Sequence, residues 1–469
     1  MSQKQVASVI VFGDIGRSPR MKNHSTQLAS AGYEVYFVGQ LVKNNLIQYV
    51  ENQVHKIIRD NPNIKIIDIS SNLVDKLKKL PRFLYLLYAA LRIIIQIFQL
   101  FYIYLFKMPK PEFVIIQNPP SIPVLSSLAI ICFMRRIKMI VDFHNYGYTI
   151  LALGLKQKII LKLATFYEKY FAKKCDFAFC VSDAMKADLK KNWNIEATTL
   201  YDKANTELFG PIPIEESHKL FLELGLNTNQ KETLFTQEVG GKVEKKKTRP
   251  LLLVSSTSWT KDEVIQIKSQ KLNQLFQKLK DFSILLDAMQ AYETAEEVNK
   301  QNSLYPKLHL LITGKGPEKE RYQQIIEERK QSWKNIQIQT VWLKAEDYPK
   351  LLASADVGIC LHYSSSGLDL PMKVVDMLGS NLPVFAINYQ CINELVANTK
   401  NGYIFDNTQD LLNLFLKYFK MNPENEQIFE SLRKSATKFR ESTWEKEWQQ
   451  KVLPILNQIK QSKNNQKNK

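Results

Sequence analysis

The amino-acid sequence predicts an α/β protein with two doubly wound, Rossmann-like domains that face a central cleft. Short runs of β-branched and aromatic residues recur along the 469 residues, and helical stretches separate them. Near-continuous apolar runs are typical of strands in a parallel sheet that is covered on both faces. Two series of such runs indicate two sheets and therefore two domains. The length, roughly three times the ~150 residues of one domain, agrees with this division.

Thirteen runs are predicted as strands. The first series comprises residues 6–14, 33–40, 64–70, 113–118, 139–144, 177–181 and 197–201. The second series comprises residues 251–256, 308–314, 336–343, 356–362, 383–388 and 402–406. These series place the N-terminal domain in residues 1–209 and the second domain in residues 251–430.

Composition predicts the remaining segments. Residues 210–250 mix Pro, Glu, Asn and Lys, which indicates a linker with some helix near 215–226. Residues 431–460 have a helical pattern, with Trp444 and Trp448 one turn apart. The polar, basic tail 461–469 is predicted to be disordered.

The net charge is +18, from 64 Lys and Arg against 46 Asp and Glu. With 45% apolar and 23% charged residues, the chain is neither wholly disordered, nor a disulfide scaffold, nor a polytopic membrane protein. Such a positive charge suits nucleic acid, an anionic membrane surface or a phosphorylated substrate. Because no nucleic-acid-binding module is recognisable, we expect a membrane partner and no nucleic acid. The first strand follows the start directly, without a signal peptide, so we expect a reducing compartment.

A hydrophobic segment covers residues 83–106 and would form a helix of about 36 Å, long enough to cross a bilayer. Its strongly polar residues, Arg92, Gln96 and Gln99, form one stripe, and basic residues flank both ends. Crossing would separate two strands that are expected in one sheet. We therefore expect an interfacial or intramembrane helix, with a buried core helix as the first alternative and a spanning helix as the second.

The first candidate motif is GDIGRSPR, residues 13–20, directly after the first strand. Its two glycines, of which the second is Gly16, allow a tight turn and close approach to a ligand. Ser18 can cap a helix that begins at Pro19. The helix N-terminus with Arg17 and Arg20 would then suit an anion, although such turns are common in this fold class.

The second motif is DFHNYGY, residues 142–148, at the carboxyl end of a predicted strand. Open α/β sheets bind their ligands at such ends. From the residues alone, His144 is either a general base or a histidine that bonds a loop carbonyl.

The strongest local signal is HYSSSGLDLPMKVVD, residues 362–376, where a strand leads through a Ser- and Gly-rich loop into a helix near Pro371. Hydroxyls, loop amides and a helix N-terminus together suit a diphosphate. Lys373 adds a positive charge, and Asp376, one turn later, could hold a ribose diol. Two further loops, which carry Ser258 and Lys315, follow predicted strands of the same series. This pattern suggests a nucleotide-sugar enzyme, and the basic surface suggests a lipid-borne acceptor.

These segments resemble the chitobiosyldiphosphodolichol beta-mannosyltransferase family of GT-B glycosyltransferases. The similar stretches extend from residue 10 to residue 406 and therefore cover both domains. They are GDIGRSPRM, QNPPSIP, DFHNYGY, NWNIEATTLYDK, LLLVSSTSWT, DFSILLDAM, ITGKGP and AEDYPKLLASADVGICLHYSSSGLDLPMKVVDMLG.

The resemblance implies an inverting mannosyltransferase that transfers mannose from GDP-mannose to GlcNAc2-diphosphodolichol. The product would be Man-beta-1,4-GlcNAc2-diphosphodolichol, in the assembly of the precursor for protein N-linked glycosylation. It implies the endoplasmic reticulum membrane, with the catalytic domains on the cytosolic face, and other mannosyltransferases of the pathway as partners. No cofactor and no metal are implied, since GDP-mannose is a substrate.

The motifs and the resemblance together lead us to expect roles for single residues. His144 and Asp14 are the catalytic candidates; for the base we favour His144 over Asp14 and Asp142, and Asp14 has the alternative role of orienting its turn. The donor-binding candidates are Gly16, Ser258, Lys315, Ser364, Ser365, Ser366, Gly367, Asp369, Lys373 and Asp376. The acceptor-binding candidates are Arg17, Arg20, Asn145 and Tyr146.

The sequence departs from the family in two places. The first strand begins near Val6, where family members carry an N-terminal transmembrane anchor, so membrane attachment is expected to rest on residues 83–106 and the basic surface. Residues 264–280 are an insertion beside the donor loops. Retaining relatives have two glutamates eight positions apart, and here Leu368 and Asp376 occupy those positions, which is compatible with inversion. Two alternatives remain: a different GDP-mannose or UDP-sugar transferase that acts on a lipid acceptor, and a catalytically silent GT-B subunit that scaffolds other membrane transferases.

Overall fold

The structure is a computed structural model that describes residues 5–41, 60–70, 85–155, 157–229, 231–259, 282–301 and 304–467. The chain forms two compact units. The first unit consists of Met1–Asp202 with Trp444–Lys469, and the second consists of Lys203–Thr443. The insertion at 264–280 lies outside the described residues.

The described part of the first unit contains a seven-stranded parallel sheet in the order β3-β2-β1-β4-β5-β6-β7. The strands are β1 (Val6–Asp14), β2 (Glu34–Gln40), β3 (Ile64–Asp68), β4 (Phe113–Asn118), β5 (Lys138–Phe143), β6 (Phe177–Cys180) and β7 (Ala197–Thr199). The helices between them are α1 (Pro19–Ser30), α2 (Tyr85–Tyr102), α3 (Val124–Arg135), α4 (Gly147–Gly154), α5 (Lys158–Ala172) and α6 (Asp183–Asp188). All seven predicted strands are confirmed, with ends within two residues.

The strand order places the candidate loops of the first unit. It reverses between β1 and β4, and open α/β sheets bind ligands at the carboxyl ends of strands beside such a reversal. The GDIGRSPR loop follows β1, and Ser18 at its end contacts the side chain of Gln117 on β4. The helix begins at Pro19 as predicted, but the Ser18 hydroxyl makes this contact and does not cap the helix.

Right-handed crossovers place α1 on one face of this sheet and α2, α3 and α5 on the other.

Among the described residues, the window Ala90–Lys107 is the one long and apolar enough to cross a membrane by length and composition. It covers most of α2, which connects two strands of a single sheet. The polar stripe of α2 faces the protein, since Gln96 is buried and Arg92 and Gln99 are half-buried. The outward side chains are Leu91, Ile94, Phe98, Tyr102 and, in the turn Ile103–Lys107, Phe106.

The last two helices, α15 (Trp444–Lys451) and α16 (Leu453–Lys467), belong to the first unit. Trp448, Leu456 and Ile459 join the same hydrophobic core as Val9 and Leu28. The expected disordered tail is wrong for residues 461–467, which continue α16. Packing of the preceding apolar residues and an ion pair between Lys463 and Glu112, 3.0 Å apart, account for this helix.

The described part of the second unit contains a six-stranded parallel sheet in the order β12-β11-β10-β13-β14-β15. The strands are β10 (Leu251–Ser256), β11 (Leu308–Thr313), β12 (Ile336–Val341), β13 (Val357–Cys360), β14 (Val384–Ile387) and β15 (Gly402–Phe405). The helices are α7 (Ile214–Glu223), α8 (Ser283–Thr294), α9 (Glu296–Lys300), α10 (Lys319–Lys330), α11 (Asp347–Ser354), α12 (Met372–Gly379), α13 (Thr408–Tyr418) and α14 (Pro423–Glu441). The six predicted strands are confirmed.

The segment 210–250 was expected to be a linker with some helix near 215–226. The helix is confirmed, but the whole segment is a folded part of the second unit. It contains α7 and a hairpin of β8 (Thr236–Val239) and β9 (Lys242–Lys245). Phe221 of α7 packs against Phe235, with ring centroids 4.9 Å apart, and both side chains are buried. These scattered apolar residues bury enough surface to order a segment that is polar on average.

Candidate active site

The loop after β5 carries the leading candidate for the catalytic base. Asp142, fully buried at the end of β5, accepts hydrogen bonds from Arg20 Nε at 2.8 Å and Nη2 at 2.9 Å. It also lies 3.1 Å from His24 Nε2 and 3.4 Å from the Nε2 atom of the half-buried His144. Burial by itself would raise the pKa of Asp142, but the Arg20 guanidinium and the neighbouring imidazoles hold that pKa well below its usual range.

This network separates the roles of Asp142 and His144. A carboxylate with so low a pKa stays ionised at neutral pH and can only accept hydrogen bonds. His144 must then direct Nε2–H at Asp142, which leaves Nδ1 as the nitrogen that can accept a proton. The arrangement is that of an imidazole oriented by a buried carboxylate.

Arg20 does not have the surroundings of an acceptor-binding residue. Its guanidinium is buried, and besides Asp142 it donates to the Leu200 carbonyl at 2.7 Å and to Asp202 Oδ1 at 3.1 Å. The nearby acids raise the pKa of Arg20 despite its burial, which lowers it. These donors hold the fold around Asp142 together, and the expectation that Arg20 contacts the acceptor stays a prediction.

Arg17 is the exposed basic residue in the turn after β1. Asp14 Oδ1 accepts the backbone N–H of Gly16 at 3.0 Å, so this carboxylate orients its own turn. Its other oxygen, Oδ2, lies 3.5 Å from Arg17 Nε and has no hydrogen-bond partner. Asp14 therefore remains a second candidate for the base.

Tyr146 is also a structural residue in this arrangement. It is buried, its hydroxyl donates to Asp188 Oδ2 at 2.7 Å, and its ring stacks on Trp193 with centroids 4.8 Å apart. The expectation that Tyr146 also contacts the acceptor stays a prediction. Asn145 is half-buried, and its Oδ1 accepts the Tyr146 N–H at 2.7 Å.

Glu168 was missed by sequence reasoning. This buried carboxylate on α5 accepts the backbone N–H groups of Gly147 at 2.8 Å and Tyr148 at 2.9 Å, and the Asn118 amide at 2.8 Å. Burial raises its pKa, and the three donors oppose that rise. Glu168 thus fixes the N-terminus of α4, three residues after His144. The one sign in the sequence is that Ala164, Glu168 and Ala172 share a helical face.

In the second unit, hydrogen bonds between serine side chains and the loop backbone hold the loop after β13 in shape. Ser364 is buried, and its hydroxyl accepts the N–H groups of Ser366 at 3.2 Å and Gly367 at 3.0 Å and contacts the Asp369 carboxylate. Gly367 has a φ of 74°, which favours glycine. Asp369 is held further by the Tyr389 hydroxyl, which donates to its carbonyl at 3.0 Å. Ser364, Ser366, Gly367 and Asp369 therefore shape the loop, and Ser365 is half-buried within it.

The loop leads into α12, whose N-terminus at Pro371 has no side-chain cap. Lys373 lies in the first turn, and both Lys373 and Asp376 are half-buried. Burial raises the pKa of Asp376 to about 7. This acid lies in a desolvated position close to Tyr348, whose hydroxyl is 3.1 Å from Ser256 Oγ at the end of β10.

The loops with Ser258 and Lys315 are adjacent. A Cβ atom on Gly314 would lie 1.7 Å from the Thr257 carbonyl oxygen, and one on Gly316 would lie 1.8 Å from that of Ser258. Only glycines allow this approach. The Lys315 ammonium lies 3.5 Å from the ring centroid of Trp342, an exposed residue just beyond β12 that sequence reasoning missed.

Within the described ranges, no three His, Cys, Asp or Glu side chains form a group that could hold a metal.

Two family models match the chain, one for each sheet. Residues 20–201 match Glycosyltransferase Family 4, and residues 272–435 match Glycosyl transferases group 1. The chitobiosyldiphosphodolichol beta-mannosyltransferase of Homo sapiens is 35% identical over 95% of this chain and 91% of its own length. The enzyme of that name from Dictyostelium discoideum is 37% identical over 94% and 92%. The chain belongs to the chitobiosyldiphosphodolichol beta-mannosyltransferase family.

A member of this family is a glycosyltransferase, and its fold agrees. Sucrose-phosphate synthase from Thermosynechococcus elongatus has a TM-score of 0.62 at 11% identity. The match covers 98% of this chain and 100% of the synthase chain. Anabaena HepE, solved with UDP and glucose, has a TM-score of 0.59 at 13% identity, over 97% of this chain and 100% of its own. These likenesses show the GT-B fold. The UDP-glycosyltransferase TURAN of Arabidopsis thaliana is 36% identical over 98% of both chains.

Proposed function

We propose that this glycosyltransferase transfers mannose from GDP-mannose to the 4-hydroxyl of the outer GlcNAc of GlcNAc2-diphosphodolichol, with inversion. The observation that carries the proposal is the 35–37% identity, over more than nine-tenths of the chain, to enzymes named for this acceptor and sugar. The fold and the loops at the ends of β5 and β13 are consistent with it.

The second unit is proposed to bind the donor. The N-terminus of α12 and the Lys373 ammonium would stabilise negative charge on the departing diphosphate. Lys315 would add charge from the neighbouring loop, and ionised Asp376 would accept hydrogen bonds from the ribose hydroxyls. Because these groups supply the positive charge, we expect the reaction to proceed without a resident metal.

The first unit is proposed to bind the acceptor and supply the base. His144 Nδ1 would take the proton from the 4-hydroxyl as that oxygen attacks the anomeric carbon and the bond to GDP breaks. A single displacement inverts the configuration to β. Asp142 would stabilise the imidazolium that results, at 3.4 Å from Nε2. Arg17, which is exposed in the turn before α1, would contact the acceptor diphosphate.

We further propose that the enzyme acts on the cytosolic face of the endoplasmic reticulum membrane, where its acceptor lipid is embedded. The positive net charge and the outward apolar side chains of α2 support a membrane location. Association with other mannosyltransferases of the pathway is proposed on the family resemblance alone.

The deciding experiment combines purified protein, labelled GDP-mannose and a synthetic GlcNAc2-diphosphate-lipid, with and without EDTA. A lipid-linked trisaccharide whose mannose is released by β-mannosidase would establish donor, acceptor and inversion together. UDP-glucose and UDP-GlcNAc serve as competing donors, because one close relative is named a UDP-glycosyltransferase. Folded protein that uses a UDP-sugar and not GDP-mannose would overturn the donor assignment, and loss of product with EDTA would overturn the metal-free reaction.

A further inference from the structure

Helix α5 has its apolar and polar faces reversed. Its buried positions are Ala164, Glu168 and Ala172, which leave little apolar surface facing the sheet. Its large apolar side chains point outward, with exposed fractions of 75% for Ile159, 63% for Leu163, 69% for Phe166 and 48% for Tyr170. A surface helix of a water-soluble domain normally turns its apolar stripe toward the core.

The neighbouring helices continue this apolar surface. Helix α3 packs against both α2 and α5, and α4 packs against α5. We call α2, α3, α4 and α5 together the outer helix layer. The other outward apolar side chains of the layer are Leu91, Ile94, Phe98, Tyr102, Ile130, Phe133, Met134, Ile150, Leu151, Leu153 and Ile160. An exposed apolar patch that extends over several elements marks an interaction surface.

The charges of this part of the chain are strongly one-sided. Residues 85–174 contain twelve Lys and Arg against three acids. All three acids are engaged within the unit: Glu112 with Lys463, Asp142 with Arg20, and Glu168 with the backbone at Gly147. Exposed lysines flank the apolar stripe of α5, namely Lys158, Lys162, Lys173 and Lys174.

We propose that the outer helix layer docks on an anionic phospholipid bilayer, with the hairpin of α4 and α5 as a lipid-inserted element in its own right besides α2. An apolar stripe between lysines suits the acyl chains and anionic headgroups of an interface. A second copy of this chain does not fit the surface, because pairing two such layers would bring like charges together.

Docking would also place the active-site loop. Helix α4 begins at Gly147, three residues after His144, and Glu168 ties this N-terminus to the inner face of α5. The outer face of α5 would then hold the His144 loop at the level of the headgroups, where a lipid-linked acceptor presents its diphosphate. Only this positional consequence rests on the proposed function; lipid binding by α5 does not.

Vesicle flotation of the full chain tests the proposal. We expect binding to phosphatidylcholine vesicles with 30 mol% phosphatidylserine, and weaker binding to pure phosphatidylcholine or at 0.5 M NaCl. Leu163→Glu with Phe166→Glu should lower the partition coefficient at least tenfold. Val239→Glu with Met421→Glu makes the same change at exposed apolar residues of the second unit and should bind like the unaltered chain. Circular dichroism and thermal unfolding establish that each variant is folded.

Either of two results would overturn the proposal. One is wild-type flotation of the folded Leu163→Glu/Phe166→Glu variant, which would leave α2 as the sole lipid contact. The other is wild-type flotation with an altered oligomeric mass by light scattering, which would make α5 a protein interface. An environment-sensitive dye at Leu163→Cys should shift to the blue on anionic vesicles, whereas the same dye at Val239→Cys should not. Mannose transfer to a detergent-solubilised acceptor is assayed separately, so that failure of docking and failure of the proposed activity are distinguishable.

Discussion

Asp376 offers the sharpest test, because one substitution should act in opposite directions on stability and on donor binding. Burial raises the pKa of its carboxyl from 3.8 to about 7. Between these values the folded chain keeps a proton that the unfolded chain releases, so the contribution of Asp376 to stability falls as the pH rises from about 4 to 7 and is constant above. At ~1.4 kcal/mol per pKa unit, the full cost is about 4 kcal/mol.

Asp376→Asn cannot ionise and should therefore escape this cost. Because the side chain is partly exposed, we expect a gain in the free energy of unfolding of about 2 to 3 kcal/mol at pH 8 and close to none at pH 4. This corresponds to a rise of roughly 4 to 12 °C in the melting temperature. Thermal unfolding without ligand at pH 4, 5, 6, 7 and 8 measures it, with the half-exposed Asp287→Asn as control.

The same variant should bind GDP-mannose roughly 10- to 100-fold more weakly, because hydrogen bonds to a charged acceptor contribute about 1.5 to 3 kcal/mol. Titration calorimetry at pH 8 measures this affinity. The reasoning about Asp376 is refuted if Asp376→Asn is less stable than the unaltered chain at pH 8, or if its gain does not grow with pH. Normal donor affinity in a stabilised variant would remove the ribose role and leave the pKa argument intact.

Four further outcomes are expected. His144→Ala should lower kcat by about 10²-fold or more in folded protein if His144 is the base, and a near-normal rate would transfer the role to Asp14. Trp342→Ala should raise the donor KM about tenfold if its exposed ring stacks on the guanine, since base–aromatic stacking contributes ~1 to 3 kcal/mol; an unchanged KM would exclude that contact. Glu168→Gln places an amide N–H against a backbone donor and should lower kcat about tenfold with the donor KM unchanged, whereas equal changes in both would indicate general destabilisation. Trp448→Ala should cost about 3 to 5 kcal/mol in urea unfolding, because it empties the core where α15 packs; a loss below ~1 kcal/mol would mean that α15 docks without it.

The strands were predictable because their signal is local. A central strand such as β1 is buried on both faces, so Val9 and Ile10 must both be apolar, and the run is visible without knowledge of its neighbours. The loop of residues 362–376 was visible for a similar reason, since Ser, Gly and Pro specify a turn and a helix start within a few residues. The helix in segment 210–250 was predicted, but the rest of the segment was misread as a linker because its core is made of single apolar residues that meet only after folding.

The roles of charged residues could not be read in the same way. Arg20 looked available because arginines are usually exposed, yet its partner Asp142 lies 122 residues away in the sequence. In the folded sheet the two side chains meet, and the Arg20 guanidinium forms the ion pair that keeps Asp142 ionised. The sequence located the residues around the proposed base, and only the structure distinguishes His144, which could accept a proton, from those that orient it.

Helix α5 shows why periodicity alone gave no warning of the proposed membrane surface. Its apolar residues follow the spacing of an amphipathic helix, and a spacing does not say which face meets the sheet. Glu168 favours the observed orientation, because its carboxylate accepts the backbone N–H groups of Gly147 and Tyr148, which would otherwise lose these partners. Turning the helix to bury Leu163 and Phe166 would break these bonds and expose the N-terminus of α4. The same contact that orders the loop beside His144 therefore keeps the apolar face outward, and this couples the geometry of the proposed base to the surface that would meet the lipid.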